Sequence, residues 1–275
     1  MFKLILALVL SSLLPSAFAQ APDGEVKGNA YTHTAASSKE VIQNSQVSVP
    51  AVYNNGQEYF GKFRDAPSDV KGNIPIVIFM HGSSGLGLKA IEEWQHWLSK
   101  LGVASIAPDS FVLPDRITYK SPVSKEVYEK IHALRASEIQ LAIQALKNIQ
   151  WVDKSRIVLA GTSEGGTAVA RYDGSELAGR IIFSWSCENN YFVTSPITAV
   201  PLGQPVLNVI SANDPFFSPS NKWLGNNEAL GHCANALKDH KNSSIVLIPG
   251  APHTLINLRA ARQPVEKFLL NIFKM

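Results

Sequence analysis

The feature that most constrains the fold is a series of short apolar runs between residues 74 and 250. Each run is six to eight residues long and nearly continuous in hydrophobic character. Strands that are buried on both faces of a parallel sheet have this character, whereas a strand with one solvated face alternates apolar and polar residues. The sequence therefore predicts a mostly parallel sheet that is covered on both faces. The runs span residues 74–80, 103–108, 156–161, 179–186, 205–212 and 244–250.

Segments with helical periodicity separate these runs. Residues 88–101 place apolar side chains on one face before Gly102 ends the segment, and residues 124–149 repeat the pattern. A further helix that includes His232, Cys233 and His240 is expected before the last apolar run, and residues 263–275 close the chain as an amphipathic helix. Alternating strands and helices of this kind are typical of a three-layer α/β domain with right-handed crossovers.

An antiparallel hairpin is predicted before the first apolar run. Residues 46–65 alternate apolar and polar residues around Asn54-Asn55-Gly56, which favours a turn. No repeat, low-complexity tract or linker divides the chain after this hairpin. We therefore expect residues 20–44 to form an N-terminal extension and residues 45–275 to form one domain.

The first 19 residues have the layout of a secretory signal peptide. Lys3 is followed by an apolar stretch at residues 4–14 and by small residues before Gln20. The apolar stretch is about half of the roughly 20 residues that a membrane-spanning helix needs. No cysteine lies near the cleavage point to accept a lipid. We expect cleavage before Gln20 and a secreted or periplasmic protein without a stable membrane anchor.

Charge and cysteine content exclude several classes of partner. The net charge of +3 and the lack of a basic run give no reason to expect nucleic acid binding. The two cysteines, Cys187 and Cys233, predict a disulfide if the chain is exported, with a reactive thiol as the alternative. They lack the Cys and His spacing of a zinc site, so no metal is expected.

Ser163 lies in the sequence Gly-Thr-Ser-Glu-Gly, which directly follows one apolar run. A Gly-x-Ser-x-Gly pattern is weak evidence by itself, because roughly one chain in ten of this length contains it by chance. Here it separates a predicted strand from small residues suited to a helix, as a nucleophile elbow requires. Gly161 and Gly165 remove Cβ atoms that would collide in so sharp a turn. The alternative is a tight turn without catalytic function.

A serine nucleophile needs a base, and the base needs a residue that orients it. Asp214 and His253 each follow a predicted strand, in the chain order serine, acid, histidine that suits an elbow on this kind of sheet. Asp214 alone would be a turn residue before Pro215, and His253 alone a polar loop residue. Their joint order and position predict a triad of Ser163, Asp214 and His253.

Two backbone amides are the predicted donors to an oxyanion. Glu164 directly follows the candidate nucleophile, and Ser83 lies in the loop after the first apolar run, with Ser84 as the alternative. Each such donor is typically worth about 10² to 10³ in rate. His81, which begins that loop with Gly82, is expected to shape the loop rather than to act as the base.

The residue types of the same loop also match a dinucleotide-binding motif. Residues 85–90 read Gly-x-Gly-x-x-Ala, and Asp109 follows about 20 residues later. Four residues separate the strand from the first of these glycines, so the turn is not at the strand end. An exported protein would also meet little nicotinamide cofactor, and we consider this interpretation the weaker one.

Several segments together resemble the dienelactone hydrolase branch of the α/β-hydrolase superfamily, particularly its secreted members. The resemblance runs from about residue 45 to the end of the chain. It implies a three-layer α/β-hydrolase fold, with a mostly parallel sheet, N-terminal antiparallel hairpin strands and no large cap domain, and it implies no metal or organic cofactor. The enzymes that name the branch use a cysteine nucleophile where this chain has Ser163, so ordinary esters are expected rather than dienelactone. The segments are HGSSGLG (81–87), EWQHWLSKLG (93–102), PDSF (108–111), LRASEIQLAIQAL (134–146), VDKSRIVLAGTSEGG (152–166) and the late Asp214 and His253.

The expected reaction is hydrolysis of a carboxylic ester or lactone, a small-molecule substrate, through an acyl-enzyme. His253 would take the proton of Ser163 and Asp214 would fix the imidazole tautomer, so activity should rise with pH as His253 loses its proton. The alternatives are a serine peptidase on the same fold, because a triad does not distinguish amides from esters, and a non-catalytic secreted binding protein. The lack of a large cap argues against the first, and the complete triad argues against the second.

Four aromatic residues follow strand ends on the predicted side of the site. Each is a candidate for a pocket wall, although ordinary packing explains each equally well. Arg135 and Glu138 are interpreted as a surface or interhelix pair rather than as catalytic residues. The candidate wall residues are Phe111, Trp185, Tyr191 and Phe216.

Overall fold

The computed structural model describes residues 21–196 and 198–275. The predicted signal peptide and its cleavage point before Gln20 therefore lie outside the described residues. The strands are β1 (Glu25–Lys27), β2 (Gln46–Val49), β3 (Tyr59–Lys62), β4 (Ile74–Met80), β5 (Ala104–Ala107), β6 (Thr118–Lys120), β7 (Val152–Thr162), β8 (Gly179–Phe183), β9 (Val206–Ser211) and β10 (Ser243–Ile248). The α-helices are α1 (Ala35–Gln43), α2 (Lys89–Lys100), α3 (Lys125–Lys147), α4 (Glu164–Arg171) and α5 (Arg259–Phe273).

Eight strands form the central sheet, in the order β10-β9-β8-β7-β4-β5-β2-β3. The strands from β10 to β5 are parallel, and β2 and β3 add an antiparallel edge. Every residue of β4 is buried, as its unbroken apolar run predicts for a strand with both faces covered. Each predicted apolar run corresponds to one parallel strand, so the mostly parallel sheet with its N-terminal hairpin is confirmed.

Helices cover both faces of this sheet. On one face α2 and α5 pack through residues such as Trp94 and Leu269, and on the other α1, α3 and α4 pack through residues such as Val41, Ile139 and Val169. The two apolar clusters are separate, which gives the expected three layers. Within the described residues there is no large cap domain, and no helix there is long and apolar enough to cross a membrane.

Three elements were not predicted from the sequence. The strands β1 and β6 form a separate antiparallel pair in which Val26 lies opposite Tyr119. Helix α1 lies within the N-terminal extension, where Thr34 and Ser37 form a capping box at its start. The strands have three residues each, and α1 buries only Ser37, Val41 and Ile42, so none of these elements has a strong hydrophobic period.

The helix predicted between β9 and β10 is replaced by turns. Leu237 N–H donates to the carbonyl of Cys233 at 3.0 Å, but this helical hydrogen bond does not extend into a helix. Gly231 has a φ of 79°, and the Cys233 N–H donates instead to Oδ1 of Asn208 at 3.0 Å. Placing Cys233 and its neighbours on a helix was therefore wrong, because this segment is fixed by contacts with β9.

Candidate active site

Ser163 lies in the sharp turn between β7 and α4. Its φ of 55° and ψ of −118° are unusual for a residue with a side chain. The Ser163 N–H donates to the carbonyl of Phe183 at 3.1 Å, which ties the turn to β8. Strained backbone of this kind persists where the surrounding structure enforces it, often at functional sites. The predicted strand-turn-helix elbow is present.

Three glycines allow α4 to approach the sheet at this turn. A Cβ built on Gly165 would lie 2.1 Å from the carbonyl oxygen of Met80. A Cβ on Gly161 would lie 2.5 Å from the oxygen of Gly165, and one on Gly166 would lie 2.5 Å from the oxygen of Phe183. Real carbon–oxygen contacts are not this short, so any side chain here would push α4 away from β4 and β8.

Asp214 and His253 follow β9 and β10 and contact each other. Nδ1 of His253 lies 2.7 Å from Oδ2 of Asp214. The other oxygen, Oδ1, accepts the backbone N–H groups of Phe216 at 2.9 Å and Phe217 at 3.1 Å. A fully buried carboxylate held in this way favours the tautomer in which Nδ1 carries the proton and Nε2 is free to accept one.

Two serine hydroxyls hold the loop that carries His253. Ser184 Oγ donates to the carbonyl of His253 at 2.6 Å, and Ser211 Oγ donates to the carbonyl of Ala251 at 2.7 Å. Neither serine was predicted as a site residue. A serine that follows or ends a strand has no distinctive sequence signal, because its partner lies far away along the chain.

Ser163 and His253 both line a cavity of about 290 Å³. No Lys, Arg, Asp or Glu is among the described residues that line it. A larger cavity of about 600 Å³, lined by parts of the N-terminal extension and α3, contains neither Ser163 nor His253. The other lining residues of the smaller cavity are Gly82, Ser83, Ser84, Leu88, Tyr119, Ser121, Thr162, Tyr191, Phe192, Phe216, Phe217 and Thr254.

Both predicted oxyanion donors lie next to Ser163. Ser83 lines the cavity, and a Cβ built on Gly82 would lie 3.4 Å from Cβ of Ser163, so this loop passes against the candidate nucleophile. Glu164 is the first residue of α4. Its N–H belongs to the first helical turn, whose N–H groups have no partner within the helix.

Of the four predicted wall residues, Tyr191 and Phe216 line the cavity. The predictions for Phe111 and Trp185 were wrong. Phe111 is 41% exposed on a 3₁₀ turn, where its ring lies 4.6 Å from the guanidinium carbon of Arg116. Trp185 is 1% exposed and packs edge-on against Phe217 behind the wall. A position after a strand does not determine the direction of the side chain.

Tyr119, Phe192 and Phe217 supply further aromatic rings that were not predicted. Tyr119 reaches the cavity from β6, an element that lacked a sequence signal. Burial and the nearby Glu164 carboxylate raise the pKa of Tyr119 well above its usual value. Its phenol is therefore a neutral hydroxyl that can donate a hydrogen bond.

His81 is fully buried at the start of the oxyanion loop. Its Nδ1 donates to the carbonyl of Gly82 at 2.7 Å, and its Nε2 accepts the N–H of Ser110 at 3.2 Å. Burial and the Arg135 guanidinium lower the pKa of His81 well below its usual value, so the ring is neutral. These bonds fit the predicted role in shaping the loop.

Cys187 and Cys233 form the predicted disulfide, with their Cα atoms 4.8 Å apart. The bridge joins the loop after β8 to the turns that follow Asp214.

Arg135 and Glu138 are both fully buried and lie on the same helix, α3, so the interpretation as a surface or interhelix pair was wrong. No group of three His, Cys, Asp or Glu side chains suited to a metal occurs in the part of the chain that the structure describes.

Known structures resemble this chain at low sequence identity. No family model and no curated protein matches it. A protein from Thermus thermophilus is 16% identical with a TM-score of 0.55, over 74% of this chain and 91% of that one. A dienelactone hydrolase-like promiscuous phosphotriesterase from metagenomic libraries is 18% identical with a TM-score of 0.53, over 83% and 96%. A structure of an esterase is 14% identical with a TM-score of 0.52, over 73% and 94%. The chain therefore has the fold of the dienelactone hydrolase-like α/β hydrolases.

Proposed function

We propose that the protein is a serine hydrolase that cleaves carboxylic esters or lactones, with Ser163 as nucleophile, His253 as general base and Asp214 as the residue that orients the base. The observation that carries this proposal is that Ser163, on its strained elbow, and His253, which is hydrogen-bonded to Asp214, line the same cavity. We also propose a secreted or periplasmic location, since an isolated disulfide is typical of oxidising compartments.

The mechanism follows from the positions of these groups. Ser163 Oγ attacks the carbonyl carbon while Nε2 of His253 takes the hydroxyl proton, and the amides of Ser83 and Glu164 bind the oxyanion. Collapse of the tetrahedral intermediate breaks the carbon–oxygen bond, and the leaving alcohol takes the proton from Nε2. A water molecule then gives a proton to the same nitrogen and attacks the acyl-enzyme. When the second tetrahedral intermediate collapses, Ser163 Oγ takes that proton back from Nε2 and the acid is released.

The cavity favours a compact acyl group without charge. Because none of its described wall residues is a Lys, Arg, Asp or Glu, a substrate carboxylate would lose hydration without gaining an ion pair. Its volume of about 290 Å³ lies at the small end of the range for ligand sites. The rings of Tyr119, Tyr191 and Phe216 provide apolar contact area, so neutral esters should be cleaved faster than esters that carry a carboxylate.

The experiment compares wild type with Ser163→Ala on short p-nitrophenyl esters, simple lactones and peptides. The variant should lose ester hydrolysis by about 10³-fold or more, because the remaining groups cannot form an acyl-enzyme. A fluorophosphonate probe should label Ser163 of the wild type only, with circular dichroism showing that both proteins are folded. Failure of the folded wild type to be labelled at Ser163, or full activity of the variant, would refute the assignment.

A further inference from the structure

Four charged side chains are buried together beside the elbow: Arg116, Arg135, Glu138 and Glu164, each at most 5% exposed. We call them the buried ion group. Arg116 Nη2 donates to Glu164 Oε1 at 2.7 Å, and Arg135 Nε lies 3.4 Å from the same oxygen. Arg135 Nη1 pairs with Oε2 of Glu138. Two cations thus face two anions, an arrangement in which charges can remain buried.

The buried ion group contacts both sides of the proposed oxyanion site. Glu164 supplies one amide, and its carboxylate, which the mechanism does not use, is held by Arg116. On the other side Arg135 Nη2 donates to the carbonyl of His81 at 2.9 Å, two residues before Ser83. Ion pairs that lie outside the cavity therefore contact both of the chain segments that carry the two proposed oxyanion amides.

The N-terminal extension supplies an outer partner of the buried ion group. The His33 side chain is 3% exposed, and its Nε2 lies 3.2 Å from Oε1 of Glu138. Its Nδ1 lies 3.1 Å from Oγ of Ser37, in the first turn of α1. Glu138 Oε1 also accepts the hydroxyl of Ser110 at 2.6 Å, so the histidine completes the set of bonds to this carboxylate.

The extension also pairs with the chain segment that carries Arg116. Asn29 N–H and Ala30 N–H donate to the carbonyl of Asp115 at 3.0 and 2.9 Å, and Ile117 N–H donates to the carbonyl of Ala30 at 2.8 Å. The β1–β6 ladder continues this pairing as far as Lys120. These contacts contribute nothing to the eight-stranded sheet, because they lie outside it. They order the segment that carries Arg116 and Tyr119.

We propose that the N-terminal extension is a positioning element of the catalytic site. His33, together with the pairing of residues 25–30 with residues 115–120, holds the buried ion group, which sets the distance between the oxyanion amides of Glu164 and Ser83. The proposal rests on the proposed function. It assigns no contact with substrate to His33, Arg116, Arg135 or Glu138. Their effect on the reaction passes through the backbone around Ser163.

The test uses His33→Leu, which removes the bond to Glu138, and His33→Gln, which retains a donor. Because the oxyanion site should loosen without a change in the cavity wall, His33→Leu should lower kcat about 10-fold on p-nitrophenyl butyrate and leave KM within about 2-fold. Affinity for phenylboronic acid, whose tetrahedral adduct with Ser163 resembles the intermediate, should fall by the same factor as kcat/KM. His33→Gln should keep most of the activity.

Lys39→Ala, at an exposed position of α1, the helix that follows His33, is the matched control and should behave as wild type. A second probe is Glu164→Gln, which keeps the amide but removes the charge, and it should reproduce the loss of kcat and of boronate affinity. If His33→Leu does not fold, His33→Asn, which is too short to reach Glu138, takes its place. All assays are run well below the measured Tm of each variant.

The outcomes separate the two proposals. A wild type that hydrolyses esters, with variants that lower Tm but leave kcat and boronate affinity unchanged, would show that the extension only stabilises the fold. A folded wild type with neither ester hydrolysis nor fluorophosphonate labelling would instead contradict the proposed function. A parallel loss of kcat and boronate affinity with constant KM supports the positioning role.

Discussion

Gly165 is the residue whose surroundings are tightest at the elbow, since a Cβ there would lie 2.1 Å from the Met80 carbonyl oxygen. Gly165→Ala should therefore displace α4 and lower the free energy of unfolding by about 3 kcal/mol or more. Gly203→Ala is the control, because no atom lies within 4 Å of its added methyl group, and it should change stability by about 0.5 kcal/mol or less. Urea unfolding measures both, and equal values would contradict the close packing described here.

The candidate residues around Ser163 were predictable because their signals are local. Glycine spacing at the elbow, and the positions of Asp214 and His253 just after apolar runs, depend only on neighbouring residues. The direction of Phe111 and Trp185, and the contact of His33 with Glu138 across 105 positions of the chain, depend on tertiary packing. Pattern alone cannot supply that information.

At the scale of elements, the Cys187–Cys233 disulfide fixes the loop after β8 that carries Tyr191 and Phe192. Closing a loop with a sequence separation of 46 is worth about 4 kcal/mol in the chain-entropy model. The double variant Cys187→Ser/Cys233→Ser should lower the free energy of unfolding by about 2 to 4 kcal/mol.

The same variant should raise KM more than it lowers kcat, because the loop forms a cavity wall while the Asp214–His253 bond does not depend on the bridge. Steady-state kinetics on a neutral ester below Tm check this, with reduced and reoxidised wild type as the control. A fall in kcat at constant KM would mean that the bridge supports the triad instead.

The elements that escaped prediction share one physical property. The strands β1 and β6 form only because they pair with each other, and α1 buries few residues. By contrast, α2 and α3 follow apolar periods that are long enough to identify in the sequence alone. Elements that form only through tertiary contacts leave a weak pattern in the sequence. In this protein such elements nevertheless hold the segment beside the candidate active site.

At the scale of the whole molecule, stability should depend on pH through two buried histidines. Burial lowers the pKa of His132 below its ordinary value of 6.5, and burial together with Arg135 lowers that of His81 well below the same value. As the pH falls below about 6.5, the unfolded chain binds protons at these two rings before the native protein does. Stability is therefore greatest above that pH and should fall by up to about 2.7 kcal/mol per pH unit toward pH 5.

Urea unfolding at intervals from pH 7 to pH 5 measures this slope. His132→Gln keeps a donor for the carbonyl of Phe192 but cannot titrate, so it should reduce the slope by up to about 1.4 kcal/mol per pH unit. A wild-type stability that is constant over this range would contradict neutral buried rings. The order of the parallel strands and the positions of α2 and α3 were predictable from the sequence. These buried polar contacts were not, because burial of a histidine depends on the whole fold.

The carboxylate of Asp214 links two parts of the site that an engineer would wish to change separately. One oxygen holds His253, and the other holds the backbone of Phe216 and Phe217 in the cavity wall. Remodelling that wall to admit larger substrates would therefore disturb the base and reduce turnover. Tyr119 enters the cavity from a different sheet, so substitutions there should change the cavity wall without breaking a hydrogen bond of Asp214.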